Sequence, residues 1–303
     1  MWPILMWPAS WGQAVFWSIS AWTRRKGPKR PREARCLTVS RGAHRIRVIS
    51  MVHKSATDRV AVVTGGSRGI GRAIALRLVR DGYTVVVNYR TDEDAAASVL
   101  EEIRPASPFS IAVQADVSTP DGAETLIGRT IETFGGLAVL VNNVGPFLVK
   151  PLLETSDREW RQTLDGNLGS AFYCSRAALP SMRARQRGAI INIGALNTDA
   201  LQMGVFEAPA YYVAKAGLMM LTRWLARSEA PFKIRVNAVN PGFIETEEYA
   251  KYPEAERTRW AQMIPAGTFG RPADVAGAVS FLVSEEARYI TGAILHVHGG
   301  LFA

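Results

Sequence analysis

Residues 59–90 read RVAVVTGGSRGIGRAIALRLVRDGYTVVVNYR, and this stretch decides the fold class. The β-rich run VAVV passes directly into a glycine-rich turn, TGGSRGIG, from Thr64 to Gly71. A segment of helical period follows, GRAIALRLVRDG, whose closing Gly82 suits a helix C-cap. A second β-rich run, TVVVN, comes next. Strand, tight turn, helix, strand is the unit from which parallel sheets are built.

The same alternation runs through the rest of the chain. Strands are expected at Arg59–Val63, Thr84–Asn88, Ser110–Gln114, Leu137–Val141, Ala189–Ile193, Ile234–Val239 and Ala293–Val297. Between them lie amphipathic stretches such as TPDGAETLIGRTIETFG, which opens at Thr119-Pro120 and closes at Gly135. These runs predict a single doubly wound α/β domain over residues 58–303, a seven-stranded parallel sheet with helices on both faces. No internal repeat or second domain is visible.

In such a sheet ligands bind outside the C-terminal ends of the strands, which draws attention to the first turn. Gly65 permits the tight bend, Gly69 lets backbone N–H groups approach a pyrophosphate, and Gly71 lets the helix pack close to the strand. A bland loop also uses glycine. The strand before it and the helix after it favour a dinucleotide site.

Composition bounds what else the chain could be. With 303 residues, 48% hydrophobic and 21% charged, it can bury a sizeable core, and disorder of the whole chain is excluded. The net charge of +9 suggests nucleic-acid binding until it is divided along the chain. Residues 1–57 hold eleven of the 36 Lys and Arg but one of the 27 acids, Glu33, so +10 sits there and −1 beyond. The body is near neutral, and no nucleic-acid partner is expected.

Residues 1–57 read as a non-globular basic leader, in which an upstream translation start with Met51 opening the domain, or a membrane anchor of reversed orientation, are the alternatives. The start, MWPILMWPASWGQAVFWSISAW, is just long enough to test as a span, but Pro3, Pro8, Ser10, Gly12, Gln13, Ser18 and Ser20 oppose it. Its positive charge follows the apolar run, whereas a signal peptide places charge before it. Cys36 and Cys174 lie far apart and give no metal or disulfide framework, so a cytoplasmic location is expected.

The spacing Gly-x-x-x-Gly-x-Gly joins NNVG at 142–145, Tyr211 and Lys215 in YYVAK, and PGFIET at 241–246. Together they resemble the short-chain dehydrogenase/reductase family over residues 58–303. The resemblance implies an oxidoreductase acting between CH–OH and C=O with a nicotinamide cofactor. Thr64, Gly65, Ser67, Arg68, Gly69, Ile70 and Gly71 would then cradle the cofactor's pyrophosphate end. Asp116 and Val117 would lie against the adenine, and Asn143 would approach the adjacent ribose. Val144 stands where the family usually has Ala, a change expected to tighten the cleft floor. Pro241, Gly242, Ile244 and Thr246 would close over the nicotinamide, with Ile244 touching the carboxamide.

The end of the second strand bears on which cofactor is used. An acid there would bind a ribose 2′-hydroxyl and repel a 2′-phosphate, yet the sequence is Asn88, Tyr89, Arg90. Arg68 and Arg90 could flank a phosphate, unless both are ordinary solvated arginines, so NADP(H) is expected.

Tyr211 and Lys215 are i and i+4 of an expected helix and share a face. A nearby ammonium favours phenolate over phenol, so Lys215 is expected to lower the Tyr211 pKa. By the resemblance Tyr211 gives the proton to a carbonyl oxygen, Lys215 also binds ribose, and Asn167 in LDGNLGSAF holds a water for proton relay. Each residue alone could be structural; the four motifs together favour the site.

One departure stands out. The family's serine follows the strand directly and donates a hydrogen bond to the substrate oxygen, but the residue after INIG is Ala195. Thr198, thirteen residues before Tyr211, and Asn197 are the replacement donors in reach.

Tyr249, Tyr252, Trp260 and Met263, in the segment after PGFIET, would wall the substrate site. VNPGFIETE and TGAILHVHGGL resemble the 3-oxoacyl-[acyl-carrier-protein] reductase branch, implying a small-molecule or acyl-carrier-bound substrate. VNNVGPFLVKPLLETSDREW resembles pteridine reductases, the second reading, and a catalytically weak cofactor-bound scaffold or sensor is the third. The family usually forms tetramers, so a homotetramer is expected through helices at Arg158–Arg185 and Tyr211–Ala230 and the C-terminal segment.

Overall fold

The protein is seen in a computed structural model that describes residues 59–196, 198, 207–247 and 249–301. The basic leader and Asn197 lie outside the described residues. Strands β1 (Val60–Val63), β4 (Val139–Asn142) and β5 (Gly188–Ile193) are buried at every position. That burial on both faces is what continuous apolar runs such as VAVV require. With β2 (Thr84–Tyr89), β3 (Ile111–Gln114), β6 (Ile234–Pro241) and β7 (Ile294–Val297) they form one parallel sheet in the order β3-β2-β1-β4-β5-β6-β7. The strand order reverses between β1 and β4, which opens a crevice above their C-terminal ends.

Successive strand residues feed two separate cores, as the two-residue repeat of a strand dictates. Ala61 and Val63 pack with Ile74 and Leu78 of α1 (Gly69–Arg80), Val99 of α2 (Glu93–Ile103) and Val275 of α7 (Pro272–Val283). Val60 and Val62 pack on the other face with Leu126 of α3 (Pro120–Phe134), Met182 of α5 (Ser170–Arg185) and Leu225 of α6 (Pro209–Glu229). Ile74 and Leu78, one turn apart and fully buried, each contribute roughly 1.5–3 kcal/mol. Cutting either back to Ala would cost about 2–5 kcal/mol.

Helix ends follow the sequence signals. Thr119 Oγ1 accepts from Gly122 N at 3.1 Å to start α3, and Gly135 ends it at φ 78°. Strand limits differ from the expected ones by one or two residues. Ser110 precedes β3, where its hydroxyl accepts from Val85 N at 2.9 Å. Leu137 precedes β4, and β6 extends through Pro241.

A larger correction concerns the helix expected over Arg158–Arg185. It comprises α4 (Asp157–Leu164), a π-helical turn at Asp165–Gly169, and α5. At Gly166 a Cβ would stand 2.7 Å from Pro146 Cγ, so the bare glycine lets the β4 loop pack against this turn. π-turns of this kind recur at functional sites, and here the turn carries Asn167.

Behind the site, buried polar groups pin β4 to β5. Asn142 Nδ2 donates to Asn192 Oδ1 at 2.8 Å, and Asn192 Nδ2 donates to Thr222 Oγ1 of α6 at 2.8 Å. A one-residue slip would strand these amides in the core. Among the described residues no helix is long and apolar enough to cross a membrane, and no group of three or more His, Cys, Asp or Glu could hold a metal ion.

Candidate active site

The glycine turn is stitched from below by polar groups at the strand ends. Asn88, buried at the end of β2, accepts from Gly65 N at 3.2 Å and donates to Ala115 O at 3.0 Å and Val113 O at 3.3 Å. Asn143 Nδ2 donates to Thr64 O at 3.0 Å and Gly65 O at 3.2 Å. Thr64 Oγ1 accepts from Asn143 N at 2.9 Å and Val144 N at 3.2 Å. The strand-end residues thus hold the turn's shape before any ligand binds.

Two glycines of the turn are in the left-handed region, Gly65 at φ 60° and Gly69 at φ 54°. A Cβ on Gly71 would stand 2.2 Å from Gly65 O, so only glycine allows this approach of helix to turn. Ser67 is buried, and Ile70 packs at the edge of the first core. No side chain caps the start of α1 and its first turn carries no acid, the arrangement an anion-binding helix start needs.

Arg68 and Arg90 flank this region and are 61% and 69% exposed in their side chains. Arg68 Nη1 lies 3.7 Å from Asp92 Oδ2, and Arg90 Nη1 lies 4.0 Å from Asp116 Oδ2. These long, exposed pairs are weak and leave both guanidinium groups able to turn toward a phosphate. Tyr89 ends β2 beside them. Asp116 also accepts from Ser118 Oγ at 2.6 Å, while the Val117 side chain is buried in the second core. Ile244 is likewise buried in the first core and bridged to Gly270, so its backbone rather than its side chain is available above the cleft. A Cβ on Gly69 would stand 3.7 Å from Thr246 Cγ2, so the segment after Pro241-Gly242 meets the glycine turn across the cleft.

At the centre, α6 presents Tyr211 and Lys215 one turn apart, with Lys215 Nζ 5.8 Å from the Tyr211 ring centroid. Lys215 is 2% exposed and donates to Ile193 O, the last residue of β5, at 2.8 Å. Asn167 is fully buried; its Nδ2 donates to Pro146 O at 2.9 Å and Thr163 O at 3.0 Å, and its Oδ1 has no partner. A Cβ on Gly145 would lie 2.6 Å from Asn167 Oδ1 and 2.7 Å from Lys215 Nζ. The π-turn, β4 loop and α6 therefore converge on one glycine. Tyr211 is wedged between Phe147 and Tyr212, edge-on to both at 4.7 and 5.5 Å.

The electrostatics reverse one expectation. Burial, then Tyr212, pushes the Tyr211 phenol up rather than down, and burial pushes Lys215 down to about 7. Desolvation penalises phenolate and ammonium alike. Tyr211 therefore holds its proton at neutral pH, the state a proton donor needs.

Ala195 is buried just past β5. Thr198 Oγ1 accepts from Asn240 Nδ2 at 2.6 Å and donates to Ala195 O at 3.4 Å. The aromatic wall is larger than Tyr249, Tyr252 and Trp260: Phe243 and Phe269 join it, with ring centroids 4.8–6.3 Å apart. Met263 is more than a third exposed. Gly145, Phe147 and Asn240 were not singled out from sequence, and Asn88 was noted only as a non-acidic strand end. Of these, Gly145 had a signal, since it closes NNVG.

A family model described as Enoyl-(Acyl carrier protein) reductase matches residues 65–302. The 3-oxoacyl-[acyl-carrier-protein] reductase FabG of Staphylococcus aureus strain Mu50 is 40% identical over 245 residues, covering 80% of this chain and 97% of that protein. Glucose 1-dehydrogenase 2 of Bacillus subtilis strain 168 is 38% identical over 253 residues, covering 82% and 97%. The crystal structure of gox2181 superposes with a TM-score of 0.76 at 30% identity, covering 82% of this chain and 98% of that one. The fold, the four motifs and these relatives place the chain in the short-chain dehydrogenase/reductase family, where it resembles the 3-oxoacyl-[acyl-carrier-protein] reductase branch.

Proposed function

We propose that this oxidoreductase uses NADPH to reduce a carbonyl, a 3-oxoacyl thioester or related ketone, with Tyr211 as the general acid. The observation that carries the reading is the meeting of Lys215 and Asn167 at Gly145, with the Tyr211 ring beside Lys215, at the ends of β4 and β5. The cleft fits the cofactor: Gly65 and Gly69 hold left-handed turns that a side chain would strain, no acid ends β2, and two exposed guanidinium groups stand beside it. A bound NADPH would supply hydride to the carbonyl carbon, while the π electron pair passes to the oxygen, which takes the Tyr211 proton and becomes a hydroxyl. Tyr211 keeps its proton because the loss of solvation disfavours the phenolate. Lys215, anchored on Ile193 O, holds a donor next to the phenol, and the open Asn167 Oδ1 offers an acceptor for a relay that re-protonates it.

The 3-oxoacyl substrate rests on the likeness to the Staphylococcus aureus enzyme. A pteridine or other C=N reductase is the second reading, favoured by the methyl at Ala195 and the aromatic wall. NADPH oxidation by the full chain with acetoacetyl thioesters, dihydropteridines, simple ketones and, in reverse, glucose separates these. Turnover of the thioester alone supports the first reading; turnover of the dihydropteridine alone replaces it with the second; silence of every compound with NADPH still bound would leave the scaffold or sensor.

We assign the activity to residues 58–303, with residues 1–57 as a leader, and place the enzyme in the cytoplasm as a homotetramer. Phe172, Met220 and Trp224 leave an exposed apolar strip along α5 and α6 that a second copy would cover. A light-scattering mass of four chains supports this, and a monomer contradicts it.

A further inference from the structure

The methyl of Ala195 cannot give the substrate oxygen a hydrogen bond, yet a hydroxyl stands beside it. Lys215 fixes the end of β5 by donating to Ile193 O, and Ala195 follows two residues on. Thr198 Oγ1 lies 3.4 Å from Ala195 O. That hydroxyl is held from the neighbouring strand: Asn240, with no exposed surface near the end of β6, donates to it at 2.6 Å. A Cβ on Gly194 would lie 1.8 Å from Asn240 Oδ1, so the bare glycine is what lets this amide reach across.

We propose that Thr198, positioned by Asn240, supplies the hydrogen bond to the substrate's carbonyl oxygen that Ala195 lacks. The proposal rests on the reductase reading above. Three observations support it. The Thr198 oxygen accepts a short bond from an amide, which strengthens its own O–H as a donor. Its proton is committed only to a contact of 3.4 Å, near the limit of a hydrogen bond, and a developing oxyanion would draw it away readily. Asn240 Oδ1 is buried without a partner, a costly arrangement that packing alone does not explain. Thr198 is the catalytic donor in this account, and Asn240 is a positioning residue.

The test uses the full chain with NADPH and acetoacetyl-CoA. Thr198→Val keeps the shape and removes the hydroxyl, and should lower kcat about 10²–10³-fold with KM little changed. Thr198→Ser should retain most of the rate, and adding Ala195→Ser to Thr198→Val should restore much of it. Asn240→Ala should slow the wild-type background but add nothing in the Thr198→Val background, because both changes remove one device. In cofactor-free protein, the Asn240 side-chain amide protons should exchange slowly by NMR, and lose that protection in Thr198→Val. Wild-type turnover in Thr198→Val, with Tyr211→Phe inactive, overturns the proposal and leaves the reductase reading standing. Wild-type turnover in Tyr211→Phe overturns both. Additive losses from Asn240→Ala and Thr198→Val would reduce Asn240 to a packing residue.

Discussion

Gly145→Ala perturbs the site by a single methyl group. Its Cβ would stand 2.6 Å from Asn167 Oδ1, 2.7 Å from Lys215 Nζ and 3.3 Å from Lys215 Cε. Ordinary contact begins near 3.4 Å, so each polar atom must retreat by about 0.7–0.8 Å. Neither is free to do so at no cost, because Nζ is held by Ile193 O at 2.8 Å and the Asn167 amide by Pro146 O and Thr163 O at 2.9 and 3.0 Å. Gly145 is not in the left-handed region, so alanine meets no backbone strain. Overpacking of this size costs about 1–3 kcal/mol, which lowers Tm by roughly 2–10 °C and leaves the protein folded. A displacement approaching 1 Å at reacting groups costs up to about 10²-fold in rate. Thermal denaturation and NADPH oxidation, measured together, should show a small loss of stability and a loss of kcat of about 10–10²-fold. Wild-type kcat in a folded Gly145→Ala protein would refute the placing of Asn167 and Lys215 in the chemistry.

Other outcomes follow from the same geometry. Asn88→Ala strips partners from Gly65 N–H and Ala115 O; urea unfolding should show a loss of about 2–5 kcal/mol, and calorimetry a weaker affinity for NADP. Replacing Arg68 and Arg90 with Ala should reduce the preference for NADPH over NADH at least about tenfold, since charged hydrogen bonds contribute roughly 1.5–3 kcal/mol each; an unchanged KM ratio would place the phosphate elsewhere. Lys215 has a folded pKa of about 7 and an ordinary value of 10.5. Between these the unfolded chain binds the extra proton, so stability is fullest above about 10.5 and falls as the pH drops toward 7. Relative to Lys215→Met, the wild type should gain about 2–3 kcal/mol between pH 7 and 9 in urea unfolding, and equal slopes would mean the ammonium is solvated.

The fold was legible because parallel-sheet strands buried on both faces are written as nearly continuous apolar runs; VAVV is unbroken, and VLVN and AIINI are interrupted only by Asn142 and Asn192. Tyr211, Lys215 and Gly71 were legible because helical spacing and glycine chemistry act locally. The partners of Asn88 and Asn240 were not, since a strand-end amide does not announce in sequence what it holds, and only the third dimension brings Gly65 or Thr198 to it. Gly145 gained its meaning from two side chains that come from α6 and from the π-turn, which no periodicity announces. The direction of the Tyr211 shift was missed for a related reason. Helical spacing reports the neighbouring ammonium, but not the desolvation that penalises the charged form of each group.

Transfer of a labelled hydride tests the central claim most directly. With NADPH carrying deuterium at the reactive ring carbon and acetoacetyl-CoA as acceptor, mass spectrometry of the product reads both the transfer and its destination. The account predicts one deuterium on the new carbinol carbon with the full wild-type chain, and no labelled product on that timescale with Tyr211→Phe, which should still bind NADPH. Labelled product at the wild-type rate from Tyr211→Phe would contradict it.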